Sequence, residues 1–263
     1  MRACECVSAM STIGKERRLS RLFRKGHRTL IIPMEMDAPI ESYSKIARAV
    51  IEGGADAIIT TVGQAKRFSK DLLDIPVVMT INYTLSDQSY ALHSVEEAIC
   101  LDASAVKVQY FGPMKMMPLL QLQRVAARCD RYGLPFLLEP IPMSATPDEN
   151  GKKLANPEDV RDAVAKAVFL GADIVKTLYT EDERSFRAVT NGSPIPVIIA
   201  GGPKRSSDRE TLQMIRGAVD GGARGGAIGR NITEHKDPMK MTRAIGKIFH
   251  DDKSVEDALR ELE

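Results

Sequence analysis

The decapeptide GADIVKTLYT, residues 171–180, carries one lysine, Lys176, inside what otherwise reads as a buried strand. An unpaired ammonium in an apolar interior is costly, so the position calls either for a carboxylate partner or for a chemistry that uses a desolvated amine. Burial disfavours the charged form, lowers the pKa and leaves a neutral nitrogen able to attack a ketone or aldehyde as a Schiff-base nucleophile. Position alone leaves both readings open. Two glycine-rich stretches, AGGPKR (200–205) and IGRN (228–231), each close an apolar run further on. Backbone N–H groups bared by glycine make anion cradles, to which Arg230 and Lys204 add charge. Beside a buried lysine, the two stretches point to a phosphorylated carbonyl compound.

The elements that must position these residues read as eight strand-then-helix units. The strand segments are 29–36, 57–61, 76–82, 105–110, 135–141, 174–179, 196–202 and 225–231, each a nearly continuous apolar run of the kind found in parallel sheets covered on both faces. Helical patterns between them begin at Ser94 with Glu97, at Ser207 with Glu210, and at Asn156 followed by Pro157. Glycine precedes the next strand in EGGAD, RYGLP, LGAD and DGGARG. Eight such units in about 250 residues predict a (β/α)8 TIM barrel, a single domain over 1–263 with an N-terminal extension and capping helix over 1–28. A doubly wound open sheet is the alternative, disfavoured because no Gly-x-Gly-x-x-Gly follows the first strand and the glycines gather after the seventh and eighth. In a barrel the active site lies at the C-terminal strand ends, with phosphate held by the loops after those last two strands. Residues 143–156 make the longest connection and are expected to hang over that face as a polar lid.

Composition bounds the rest. The 263 residues are 43% hydrophobic and 27% charged, with a formal net charge of +2, too balanced for a nucleic-acid binder. Cys4, Cys6, Cys100 and Cys129 form neither a disulfide framework nor a zinc set, so a reduced, cytoplasmic chain is expected. No apolar run approaches the roughly 20 residues of a membrane span. The basic run at 15–25 reads as a solvated helix with Leu19, Leu22 and Phe23 against the body. His27, His93, His235 and His250 lack metal-ligand spacing and read as surface or loop residues, so no metal is expected.

The stretches GADIVKTLYTED, PVIIAGGPK, GGAIGRNI and the early RLSRLF with TLIIPM closely resemble the archaeal-type class I fructose-bisphosphate aldolases, whose relatives make aminodideoxyheptulosonate or process autoinducer-2 phosphate. The likeness runs from about residue 14 to the end. It implies a (β/α)8 barrel, a Schiff-base lysine at Lys176, a phosphate grip by Gly201, Gly202, Gly229 and Arg230, no cofactor, and a ring-like homo-oligomer. Two departures bear on proton transfer. The family's Asp-His-Gly after the first strand is Glu35-Met36-Asp37 here, which leaves Glu35 or Asp37 as general base. The family's Tyr-Pro-Arg-Gly turn after the fifth strand is Ile141-Pro142-Met143-Ser144, without the tyrosine. Glu139, two residues before Ile141, can take its place, or can simply pair with a barrel lysine such as Lys107. Lys107 can equally lower the Lys176 pKa by like-charge repulsion, and Tyr179 is a further proton-relay candidate. Fructose 1,6-bisphosphate cleavage is the first functional expectation. A transferase of the same architecture and a non-catalytic sugar-phosphate binder are the alternatives.

Overall fold

The computed structural model describes residues 2–24, 28–35, 39–86, 89–111, 116–142 and 156–263. Ten strands occur among them: β1 (Thr29–Pro33), β2 (Ala57–Thr61), β3 (Val77–Thr80), β4 (Asn82–Ser86), β5 (Ser89–Leu92), β6 (Ala105–Phe111), β7 (Phe136–Ile141), β8 (Ile174–Leu178), β9 (Val197–Ala200) and β10 (Gly225–Ala227). Eight of them close into a parallel barrel in the order β1-β10-β9-β8-β7-β6-β3-β2. These eight are the predicted segments, and the (β/α)8 expectation holds. The unpredicted pair is β4 and β5, an antiparallel hairpin inserted after β3. Its sequence, NYTLSDQSYAL, is too polar and too short of β-branched residues to read as a strand pair.

The helices are α1 (Arg2–Leu22), α2 (Ile40–Glu52), α3 (Val62–Arg67), α4 (Val95–Cys100), α5 (Met116–Tyr132), α6 (Pro157–Phe169), α7 (Glu183–Thr190), α8 (Asp208–Asp220), α9 (Arg230–Thr233), α10 (Pro238–Asp251) and α11 (Val255–Leu259). Several of their starts are set by side-chain caps. Ser94 and Glu97 form a reciprocal capping box, and Asn156 accepts from Glu158 N–H ahead of Pro157. Ser207 caps α8 by accepting from Glu210 N–H, whereas the Glu210 carboxylate turns to Ser206 instead of completing a box.

Alternation along the strands sends one set of side chains into the barrel and the other under the helices. Ile31, Ala57, Ile59, Val78, Ala105, Leu137, Ile174, Ile198 and Ala227 fill the lower interior as a cluster separate from the larger helix-facing core. The lower opening is stopped by α1, whose Leu22 is fully buried in that interior cluster. Lys15 pairs with Asp173 at 2.8 Å and with Asp130, while Arg18 donates to Gly133 O at 2.8 Å. Asp173 and Asp56 also accept the N–H groups that open β7 and β1, from Phe136 at 2.8 Å and Leu30 at 2.7 Å. The helix is thus fixed to the strand starts and leaves the opposite barrel mouth open. Truncating Leu22→Ala leaves a hole in a closed end that strands cannot collapse to fill, so a loss of about 2–5 kcal/mol in urea unfolding is expected.

Candidate active site

Register decides which inward side chains meet at the open mouth. Leu138 pairs with Val175, so one residue further along Glu139 on β7 stands level with Lys176 on β8. Thr80 on β3 stands level with Lys107 on β6. Glu35 follows β1 by two residues, in the same inward phase as Ile31 and Pro33.

These residues form one chain of alternating charge. Lys176 Nζ lies 2.7 Å from Glu139 Oε1. Glu139 Oε2 faces Lys107 Nζ at 3.1 Å, an ionic contact off the hydrogen-bond direction. Lys107 Nζ donates to both Glu35 oxygens, at 3.1 and 2.9 Å, and Thr80 Oγ1 donates to Glu35 Oε1 at 2.5 Å. The side chains of Lys107, Glu139 and Lys176 are 2%, 4% and 7% exposed, so they interact in a medium where charge is little screened. Glu35 is the member of the chain that reaches solvent, its side chain a quarter exposed.

The electrostatics separate the two lysines. Burial lowers the Lys176 pKa, and Lys107 pushes it further down. Glu139 and Glu35 oppose this without cancelling it, so Lys176 loses its proton below the ordinary lysine value of 10.5. Burial also works against the charge of Lys107, but two carboxylates face it and hold its pKa above 10.5. Glu139 is pushed up by burial, yet the two ammonium groups outweigh that and keep it below 4.5. Lys107 is therefore a permanent cation, Glu139 a carboxylate, and Lys176 the member from which a proton is most readily drawn.

Lys176 has a carboxylate partner and also borders a cavity of about 1210 Å³ shared with Glu35, Gln109, Gly201, Gly202, Gly229 and Arg230. The β9 and β10 ends supply the glycines, with β10 paired directly to β1. A Cβ on Gly201 would sit 3.2 Å from the Ile228 backbone, and Gly202 has φ +68°, so each position has its own reason for glycine. Lys204 lines the cavity but donates its ammonium to Glu234 O at 2.6 Å. Its neighbour Arg205 also lines the cavity, with the guanidinium on Glu181 Oε1 at 2.6 Å. Glu181 sits in the left-handed region at φ +60°, a strained backbone of the sort found around functional sites. Arg205, Glu181, Thr80 and Gln109 escape the sequence reading. Period-two counting from Lys107 reaches Gln109, whereas the other three become visible only once the strands are side by side.

Some expectations need correction. Tyr179 lies three residues beyond Lys176, past the end of β8. Its ring packs edge-on against Phe186 at 5.2 Å and its hydroxyl abuts Gly217, while burial, aided by Glu181 and other nearby acids, pushes its pKa up to about 12. The residue also borders the cavity, but its hydroxyl is turned to Gly217 on α8. His250 is neither a surface nor a loop residue, lying inside α10 with its side chain 8% exposed, whereas His235 sits in the loop before α10, 7% exposed. His250 pairs with Asp56 at 3.0 Å beneath the barrel and His235 with Asp208 at 3.3 Å. His93 remains partly exposed, 3.4 Å from Glu97. His27, Asp37 and the loop 143–155 lie outside the described residues. Among the described residues no His, Cys, Asp and Glu cluster could hold a metal ion, and no helix is long and apolar enough to cross a membrane.

A parallel eight-stranded barrel with a buried amine, a carboxylate and a glycine cradle at its mouth is the architecture of a class I aldolase, a barrel enzyme that works through a lysine. Residues 25–235 match the DeoC/LacD family of aldolases, and the chain belongs to that family. The 2-amino-3,7-dideoxy-D-threo-hept-6-ulosonate synthase of Halobacterium salinarum is 34% identical over 264 residues, spanning 95% of this chain and 97% of its own. The class 1 fructose-bisphosphate aldolase of Thermoproteus tenax is 29% identical over 225 residues, 81% of this chain and 82% of its own. A solved archaeal fructose-1,6-bisphosphate aldolase, its catalytic lysine covalently bound to the carbinolamine intermediate, superposes with a TM-score of 0.76 at 26% identity, over 89% of this chain and 98% of that one.

Proposed function

We propose that Lys176 is the Schiff-base nucleophile of a metal-independent aldolase acting on a phosphorylated ketose, with fructose 1,6-bisphosphate the first substrate to test. The observation that carries this reading is the lowered pKa of a buried lysine 2.7 Å from a carboxylate, at the edge of a cavity that also holds the glycine cradle. Glu139 takes a proton from the Lys176 ammonium, and the neutral amine adds to the ketone carbon. The same carboxylic acid protonates the carbinolamine hydroxyl, which leaves as water and gives a protonated imine. Glu35, at the mouth of the same cavity, accepts the hydroxyl proton of the substrate as the carbon–carbon bond breaks. The electron pair of that bond passes into the imine, leaving an enamine and a free aldehyde. Protonation of the enamine and hydrolysis of the imine release the ketone product and return the amine. Lys107 holds both carboxylates in place and stays charged throughout. Gly201, Gly202, Gly229 and Arg230 hold phosphate, with Lys204 a weaker contributor because its ammonium is already engaged. Asp37 is the alternative base.

Only the neutral amine adds to a carbonyl, so the rate of imine formation rises with pH through the Lys176 titration, which lies below 10.5. A trapping-rate profile measured from pH 6 to pH 10 is expected to level off before that value. A rate still climbing in proportion to hydroxide at pH 10 contradicts a lowered pKa.

Transfer of a fragment to a second substrate is the competing reading, favoured by Ile141 in place of the family tyrosine and by the 34% likeness to the synthase. Product analysis separates the two. Free glyceraldehyde 3-phosphate from the bisphosphate alone supports cleavage, and turnover that requires a second carbonyl compound supports transfer. Binding without turnover and without imine on reduction supports a non-catalytic binder. A reduced cytoplasmic setting suits the free thiols of Cys100 and Cys129, the latter pushed up to about 12 by burial. A homo-oligomeric assembly completes the proposal.

A further inference from the structure

We propose that Asn231 is a positioning residue that builds the anion cradle out of two separate loops, turning the backbone N–H groups of Gly202 and Lys204 toward a substrate phosphate; the inference rests on reading that cradle as a phosphate site. Asn231 is 3% exposed, and its amide is fully used. Nδ2 donates to Gly201 O at 3.0 Å and to Pro203 O at 3.1 Å, while Oδ1 accepts from Arg205 N–H at 3.0 Å and from Thr211 Oγ1 at 3.2 Å. An asparagine amide has two N–H bonds to give and one oxygen with two lone pairs, so no capacity remains. Three of the four partners belong to the loop after β9, whereas Asn231 itself follows Gly229 and Arg230 after β10. One side chain thus fixes the spacing of the two glycine loops.

Its effect on the cradle follows from peptide geometry. In a trans peptide the carbonyl and the next N–H point opposite ways, and no cis bond occurs here. With the carbonyls of Gly201 and Pro203 drawn to Asn231, the N–H groups of Gly202 and Lys204 leave the loop on its other side. Both residues line the cavity, and neither N–H has a backbone acceptor among the described residues. Gly202 at φ +68° supplies the left-handed turn that lets nearby N–H groups converge on one side. A buried asparagine serving only to fill space would not need to match two carbonyls, an N–H and a hydroxyl together.

The test is Asn231→Asp, which keeps size and shape but sets an oxygen against two carbonyls that need a donor. Borohydride trapping is measured against concentration for dihydroxyacetone phosphate and for unphosphorylated dihydroxyacetone, with inorganic phosphate as competitor. The half-saturating concentration of the phosphorylated ketone and the inhibition constant of phosphate are each expected to rise about tenfold or more. Maximal trapping and the response to unphosphorylated ketone stay as in the parent. Equal losses with both ketones, or an unchanged phosphate constant, overturn the role of Asn231. A parent enzyme that shows no preference for the phosphorylated ketone and no inhibition by phosphate overturns the phosphate site itself. Should Asn231→Asp fail to fold, Thr211→Val, which removes one donor to Oδ1 from α8 without touching the cavity wall, is read in the same way, with about a threefold rise expected.

Discussion

Lys176→Met is expected to lower aldol turnover by on the order of 10⁵- to 10⁶-fold, the scale of deleting a covalent nucleophile, and to abolish reductive trapping. Methionine is close to lysine in length and suits the apolar strand, so the loss belongs to the amine and not to the packing. The substitution leaves Glu139 and Glu35 to share the charge of Lys107, but Glu35 reaches solvent, so the fold is expected to survive, with the thermal midpoint as the control. Turnover within a factor of ten of the parent excludes Lys176 as nucleophile, because no other described side chain offers a buried amine with a lowered pKa beside the cavity.

Glu139→Gln separates proton transfer from simple charge pairing, and turnover is expected to fall by about 10²- to 10⁴-fold. Glutamine cannot carry the proton that converts the carbinolamine to the imine, so dehydration becomes the slow step. The ionisation of Lys176 responds in the opposite direction. Losing Glu139 removes the main interaction that raises the Lys176 pKa and leaves burial and Lys107, both of which lower it, opposed only by Glu35. The neutral amine is thus available at lower pH, and its titration shifts downward while turnover drops. A residue that only paired with lysine would leave turnover following the fraction of neutral amine. Breaking a buried pair costs about 3–5 kcal/mol when the remaining charge cannot escape, but here Lys176 can shed its proton and Lys107 keeps Glu35. The measured stability loss should therefore fall below that range. Parent-like turnover in Glu139→Gln sinks the proton-transfer role.

The barrel is legible in the sequence because strands covered on both faces are nearly continuous apolar runs, and glycine at several helix ends marks where the next one begins. Lys176 stands out for the same reason: a charge inside such a run is locally anomalous. Lys107, in AVKVQY, carries the same signal. Glu139 as a partner for Lys107 is within reach of the sequence, but its bridging of both lysines is not, since that depends on the stagger between neighbouring strands, which no single segment encodes. Period two within one strand is legible and carries from Lys107 to Gln109, both of which face the barrel mouth, but it stops at the strand end and does not place Tyr179. His250 illustrates the opposite limit, for nothing around it in sequence indicates that Asp56, far away in the chain, lies 3.0 Å from its ring. Asn231 is visible as a letter in IGRN, but its purpose is set by carbonyls thirty residues earlier.

The most direct measurement is reduction with borohydride in the presence of dihydroxyacetone phosphate, followed by digestion and mass mapping. The account predicts a single adduct, on the peptide that contains residues 171–180 and at Lys176. An adduct on Lys107 or on a surface lysine, or no adduct under conditions where the ketone binds, contradicts it.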